Sequence, residues 1–167
     1  MAGAGGESKA AGGGDRVVSR NRKALHDFEV LQRIEAGVAL CGTEVKVVRA
    51  GHAGLSGAYA SVDKNTGEIW LCGVNIPPYG FGNIFNHDSL RARKLLLHRR
   101  EILRLRAHEE RKGCTLVPLS LYLKRGRVKC ELGVCRGKTD IDKRETIKRR
   151  ENDRDARRAM AEHSRRG

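Results

Sequence analysis

The side chains of this chain with the widest chemical repertoire are its histidines, among them His26, His87 and His98, and its five cysteines. Such groups can transfer protons, attack carbonyls or ligate metals. None sits in a pattern that would put it to that use. No Gly-x-Ser-x-Gly elbow, no His-Glu-x-x-His pair and no phosphate-loop glycine pattern occurs, and no nucleophile has an identifiable base. Cys130 and Cys135 are the only close cysteine pair, and on one strand their odd separation turns them to opposite faces, so they cannot grip a metal jointly. The residues therefore predict a protein that is not an enzyme and uses no metal or cofactor. A metal-dependent nuclease built on scattered carboxylates stands as the enzymatic alternative.

The chemistry that the composition does support is electrostatic. Thirty-four Lys and Arg against 20 Asp and Glu give 167 residues a formal charge of +14, a field that draws phosphate polyanions. "RARKLLLHRRE" combines Arg91, Arg93, Lys94, Arg99 and Arg100 with a leucine triplet, and "IDKRETIKRRENDRDARRAM" is about half charged, with too little apolar material to seat a helix on a core. Glu35 falls on the polar face of an alternating segment, where it could accept from a base amino group or a ribose hydroxyl. Aromatic residues are only 4% of the chain, with Tyr59, Tyr79, Tyr122, Phe81 and Phe85 a thin supply for base stacking. Binding should then lean on phosphate contacts and shape, which suits a folded RNA. The apolar runs, such as Leu95 to Leu97, fall far short of the roughly 20 residues of a spanning helix. With no apolar export segment and an odd number of cysteines, the chain reads as cytoplasmic with reduced thiols.

The elements that must carry these residues are mostly strands. Every second residue from Phe28 to Leu40 is apolar apart from Gln32, predicting a long half-buried strand. "GTEVKVVRAG" predicts a short helix with Thr43 as N-cap, Lys46 and Arg49 on one ridge, and Gly51 as its stop. Residues 57–76 predict a hairpin turning at Lys64 to Gly67, and "TLVPLSLYL" with "RVKCELGVCR" predict a second, linked by Lys124-Arg125-Gly126. Between them, Asp88 to Lys112 has helix-forming composition, as one helix or as two broken at His98. Gly37, Gly73 and Gly133 would ease sharp bending. The fold class is mainly β with short helices (α+β): an OB-like antiparallel β-barrel, with a sandwich as the alternative. Residues 1–19 read as a disordered Gly/Ala-rich leader, 20–136 as the barrel, and 137–167 as a basic tail, disordered when free because favourable and unfavourable i,i+4 charge pairs offset each other.

Several stretches resemble one family closely: "NRKALHDFEV", "EAGVALCGTEVKVVRAG", "NIPPY", "NHDSLRARKLLLHRREI", "KGCTLVPLSLYLKRGRVKCELGVCRGK" and "DKRET". The chain resembles small protein B (SmpB), the SsrA-binding proteins of bacterial trans-translation, from about Arg20 to Met160. The resemblance implies an RNA-binding adaptor, monomeric and without cofactor. It would bind the tRNA-like domain of transfer-messenger RNA (tmRNA) and travel with elongation factor Tu to stalled ribosomes. Asn21, Glu35, Leu96 and His98 fall where the family contacts this RNA, and Lys23, Lys46, Arg49, Arg93 and Lys94 are nearby cations. Asp142, Lys143 and Arg144 fall where the family's tail meets the 16S rRNA decoding centre. From there Lys148, Arg149, Arg150, Arg154, Arg157, Arg158 and Met160 would line a helix in the empty mRNA channel. The family commonly has His or Tyr before the Asp-Lys-Arg triplet, where this chain has Ile141, and Ala159 is smaller than the aliphatic residue of some relatives. A structural ribosomal or general RNA-binding barrel protein is the competing function.

Overall fold

The structure is a computed structural model that describes residues 15–81 and 86–166. Positions 1–14 of the expected leader, and Phe85, lie outside the described residues.

The chain runs β1 (Arg16–Arg20), α1 (Arg22–Asp27), β2 (Phe28–Val38), α2 (Gly42–Arg49), β3 (Tyr59–Val62), β4 (Ile69–Cys72), β5 (Arg93–Leu96), α3 (Arg99–Glu109), β6 (Cys114–Lys124), β7 (Arg127–Gly137) and α4 (Asp140–Arg166). The antiparallel order β6-β3-β4-β5-β2-β7 returns to β6 through the β6–β7 hairpin, so the pairing closes on itself, with β1 added beside β6. Closure leaves few edges to protect. Its seams are short. β2 and β5 share only the pairs Gly37 with Leu96 and Val38 with Leu95, and β3 meets β6 only at Ala60 with Leu116.

Alternation built most of the interior as expected: Ala58, Ala60, Val62, Leu121, Cys130, Leu132 and Val134 are buried in one main cluster. On β4 the expected grouping of Trp70, Cys72, Val74 and Ile76 on one side is broken: Ile69 and Leu71 are the inward pair and Trp70 and Cys72 are only half-buried, while beyond the left-handed Gly73 it is Val74 and Ile76 that are buried. A smaller cluster lies under α1, where Ala24 meets Val117, Leu119 and Cys135. Cys130 and Cys135 thus do fall in separate clusters, and burial pushes their thiols up to about 12 and about 11. Of the three glycines, Gly73 has a left-handed φ of 73°. The other two serve close approach: a Cβ on Gly133 would lie 2.9 Å from Leu119, and one on Gly37 would lie 3.2 Å from the Leu96 Cβ.

Three further expectations need correcting. Residues 16–20 form β1, so the folded unit begins inside the expected leader; five residues are too short a strand to show periodicity. Asp88 to Lys112 is not helical throughout, because Arg93 to Leu96 pairs with β4 and β2 and only the part after the break at His98 is helix. Tertiary pairing overrode helix propensity there. The N-cap of α2 is Cys41, and Thr43 instead shares a 2.9 Å hydrogen bond with His87 Nδ1.

One buried cluster ties these parts together. Glu44 and Arg93 are both 0% exposed. Arg93 Nε donates to Glu44 Oε1 at 2.9 Å, Arg91 Nε donates to the same oxygen at 2.8 Å, and the Cys41 N–H donates to Oε2 at 2.8 Å. Arg93 also donates to the carbonyls of Val74, Arg91, Asp88 and Ser89. Burial pushes the Glu44 carboxyl up, but hydrogen bonds from Arg91, Cys41 and Arg93 outweigh it and hold the carboxyl below its usual 4.5. The pair's contribution to stability is therefore full above about pH 4.5 and is lost as pH falls through the lower folded value. Glu44→Gln leaves Arg93 buried without a counter-charge and should destabilise the fold by about 3–5 kcal/mol at neutral pH. Urea titrations at pH 7 and pH 3 check this: the deficit should shrink at the lower pH, and a deficit equal at both would contradict it.

Candidate nucleic-acid interface

On the outer wall between β2 and the start of α3 lies an open groove of about 660 Å³. Glu35, Leu96 and His98 all line it, with Arg33, Arg104 and Lys129 beside them. Three of the four family-implied contact residues thus come together from separate elements. Glu35 projects outward because its neighbour Ala36 points into the core. Leu96 is the last residue of β5, 54% exposed, seated over Gly37. His98 caps α3, and its backbone N–H donates to Glu101 Oε2 at 3.0 Å.

Glu35 does not stand free in this groove. Its Oε2 accepts from the Tyr122 hydroxyl and, at 3.0 Å, from Lys124 Nζ, while Lys129 Nζ lies 3.9 Å from Oε1. The Tyr122 hydrogen bond holds the Glu35 carboxyl below its usual range; partial burial works against that, and Lys124 reinforces it. Burial and the Glu35 carboxylate together raise the Tyr122 phenol well above its ordinary value, so it stays a donor. Opposite Glu35 on β7, Glu131 accepts from Arg33 Nη1 at 3.2 Å and Ser120 Oγ at 3.2 Å. Two carboxylates thus hold an array of cations at fixed positions. An adjoining pocket of about 400 Å³ continues from Glu35 over Lys124, Arg125 and Arg127.

The other expected contacts are placed differently. Asn21 is 5% exposed, with Nδ2 donating to the carbonyls of Leu55 and Pro118 at 3.1 Å each and Oδ1 accepting from the Ala24 N–H at 3.0 Å. It caps α1 and locks it to the barrel. Arg93 is wholly inside, so as an RNA contact it is corrected to a support: on β5, Arg93 and Leu95 face in while Lys94 and Leu96 face out. Lys94 pairs with Glu68. On α2, Lys46 Nζ lies 5.0 Å from the Tyr79 ring centre and Arg49 donates to the Gly126 carbonyl at 3.0 Å. Lys23 is exposed on α1.

The tail differs from its expectation. Residues 140–166 form one helix, begun by a capping box in which Thr139 N–H and Oγ1 donate to Asp142 Oδ2 at 3.2 and 2.7 Å, and the Asp142 N–H returns to Thr139 Oγ1 at 3.3 Å. The pattern Thr-x-x-Asp was readable and balances the charge conflicts that argued against a helix. Its root is fixed by the Lys138 N–H to the Asp27 carbonyl at 3.0 Å. Lys143 is half-buried, 4.0 Å from Asp140. Arg144, Lys148, Arg149, Arg150, Arg154, Arg157 and Arg158 are all exposed, as is Met160 at 73%. The residues that sequence reading missed are Arg33, Arg104, Tyr122, Lys124 and Lys129. Alternation with the inward Leu121, Leu123, Val128 and Cys130 would have found the last three.

A closed antiparallel barrel with a cation-lined groove on one wall and a basic helical appendage defines a small nucleic-acid-binding barrel protein. Comparison with known proteins narrows the class. The family model for SmpB protein matches residues 18–162, and the chain belongs to that family. An "SsrA-binding protein" of Corynebacterium urealyticum is 53% identical over 89% of this chain and 82% of its own length. One from Ligilactobacillus salivarius is 51% identical over 87% of this chain and 93% of its own, and one from Acetivibrio thermocellus 53% over 90% and 96%. A solved chain described as "tmRNA-SmpB: a journey to the center of the bacterial ribosome" is 47% identical, with a TM-score of 0.62 over 73% of this chain and 85% of that one.

Tyr122→Phe removes the largest influence lowering the Glu35 carboxyl, so its titration midpoint should rise toward 4.5. Carbon-detected NMR of the Glu35 carboxyl follows this directly, and an unmoved midpoint would contradict the assigned hydrogen bond.

Proposed function

We infer that this protein is an RNA-binding adaptor. It binds the tRNA-like domain of tmRNA and brings it to stalled ribosomes, where trans-translation rescues the ribosome and tags the incomplete product. The observation that carries the reading is the convergence of Glu35, Leu96 and His98 on one groove, in a chain whose family relatives are named for binding SsrA. The chemistry fits. Lys124, Lys129 and Arg33 are held at fixed positions to meet phosphates, and Leu96 offers an apolar face to an unstacked base or ribose. Lys46, Arg49 and Lys94 extend the positive field, with Lys23 on the α1 side.

The tail is the second working part of this proposal. Beyond its first turns the helix buries no described side chain, so capping and propensity alone hold it and it frays readily in the free protein. In the empty mRNA channel its cations meet rRNA phosphates and its order is completed there. Asp142, Lys143 and Arg144 enter the decoding centre first, and Lys148, Arg149, Arg150, Arg154, Arg157, Arg158 and Met160 follow. mRNA in the channel excludes it, so selectivity for stalled ribosomes is steric while affinity is electrostatic. Ile141, 69% exposed, replaces a stacking ring by aliphatic contact. The protein acts in the cytoplasm as a monomer, delivered in complex with elongation factor Tu, and performs no turnover itself.

A chain ending at Gly137 should bind the tRNA-like RNA within about threefold of the full chain, because the groove is untouched, yet fail to support tagging in a reconstituted translation system. Loss of RNA affinity on truncation would contradict the division. Equal affinity for unrelated rRNA fragments would favour a general RNA-binding barrel protein instead.

A further inference from the structure

The ridge formed by Leu96 and Leu97 has a second side. Across it from the groove lies a cleft of about 550 Å³, between the first turns of α3 and the turn joining β3 to β4. Lys94, Arg99 and Arg106 supply its cations and Glu68 its carboxylate. Lys94 is paired with Glu68, and Arg106 Nε donates to Glu110 Oε1 at 3.2 Å. Among the described residues Arg99 has no carboxylate partner.

The apolar part of this cleft is unusual for a surface so rich in charge. Leu103 is 56% exposed and Leu96 54% exposed, on a helix and a strand otherwise fixed by the buried Leu105 and Leu95. Both leucines therefore hold their positions without being needed for the core. An uncovered apolar face beside the unpaired Arg99 matches a nucleotide, whose base presents flat apolar faces and whose phosphate is anionic. Since both hollows share Leu96 and Leu97, a strand of RNA can cross from one to the other without leaving the cationic surface.

We propose that Arg99 and Leu103, with Lys94 and Arg106, form a second contact site for the same RNA, taking one unstacked nucleotide with its phosphate on Arg99 and its ribose and base against Leu103 and Leu96. This rests on the RNA-adaptor reading above. It goes beyond that reading by extending the interface over the ridge and along α3.

The test is a salt series of binding isotherms for the full chain with the isolated tRNA-like domain of tmRNA. Arg99→Gln should weaken binding about 3- to 10-fold and reduce the log–log salt slope by about 0.7–0.9, as one lost phosphate contact requires. Leu103→Ala should weaken it about 5-fold with the slope unchanged. Arg111→Gln, which removes the same charge beyond the far end of α3, should stay within about 2-fold. Circular dichroism confirms that these exposed substitutions leave the fold intact. If Arg99→Gln and Arg111→Gln behave alike, or Leu103→Ala binds as the parent does, the site is overturned. It is equally overturned if Arg99→Gln spares RNA binding but abolishes binding of a Glu-rich amphipathic peptide, because the occupant would then be protein. Failure of the unsubstituted chain to bind this RNA would instead count against the adaptor function itself.

Discussion

The interaction on which the β2–β5 wall depends is the buried contact of Glu44 with Arg93. β5 is four residues long and shares two register pairs with β2, too little hydrogen bonding to fix an edge unaided. Arg93 is the inward residue at the start of that strand, and its guanidinium reaches the carbonyls of Val74, Asp88, Ser89 and Arg91 as well as Glu44 on α2. One side chain therefore fastens β5, the segment leading into it and α2 to each other. Leu96, His98 and the start of α3 follow within a few residues. Their positions over the groove inherit the rigidity of that anchor.

Carboxylates play the same organising part on the surface. A protein with a formal charge of +14 gains nothing for phosphate binding from Glu35 as an isolated anion. Glu35 instead gathers Tyr122, Lys124 and Lys129, and Glu131 gathers Arg33 and Ser120. Long cationic side chains lose less freedom on meeting RNA when they are already held. The tail has no such scaffold beyond the capping box and the Lys138 contact with Asp27. Barrel and tail thus differ in what orders them: carboxylates hold the cations of the wall, while beyond its first turns the basic helix has only its capping and propensity.

Much of this was legible in the sequence because strand alternation is a local signal. Phe28 to Leu40, the two hairpins and the inward residues of the second follow from period two alone, whereas on β4 the inward pair is Ile69 and Leu71, and the number of short strands left a sandwich open beside the barrel. What was not legible depended on long-range partners. Arg93 carries the charge of a surface residue, and only Glu44, 49 positions away, makes its burial possible. Asn21 has the chemistry of an RNA contact and spends it on Leu55 and Pro118 carbonyls. β1 and β5 are too short for periodicity to show, and β5 is written in helix-forming residues. The candidate groove was half legible: motif resemblance supplied Glu35, Leu96 and His98, and alternation could have supplied Tyr122, Lys124 and Lys129, whereas the meeting of Glu35 with Tyr122 and Lys124 depends on strand pairing across the sheet.

The central claim is that a rigid barrel wall, not the basic tail, reads the folded RNA. Amide chemical-shift mapping of the isotope-labelled full chain during titration with the tRNA-like domain of tmRNA tests it most directly. The account predicts perturbations concentrated at Arg33, Glu35, Leu96, His98, Lys124 and Lys129, with amides beyond residue 144 left where they were. Perturbations confined to α4, with the β2–β5 wall unmoved, would contradict it.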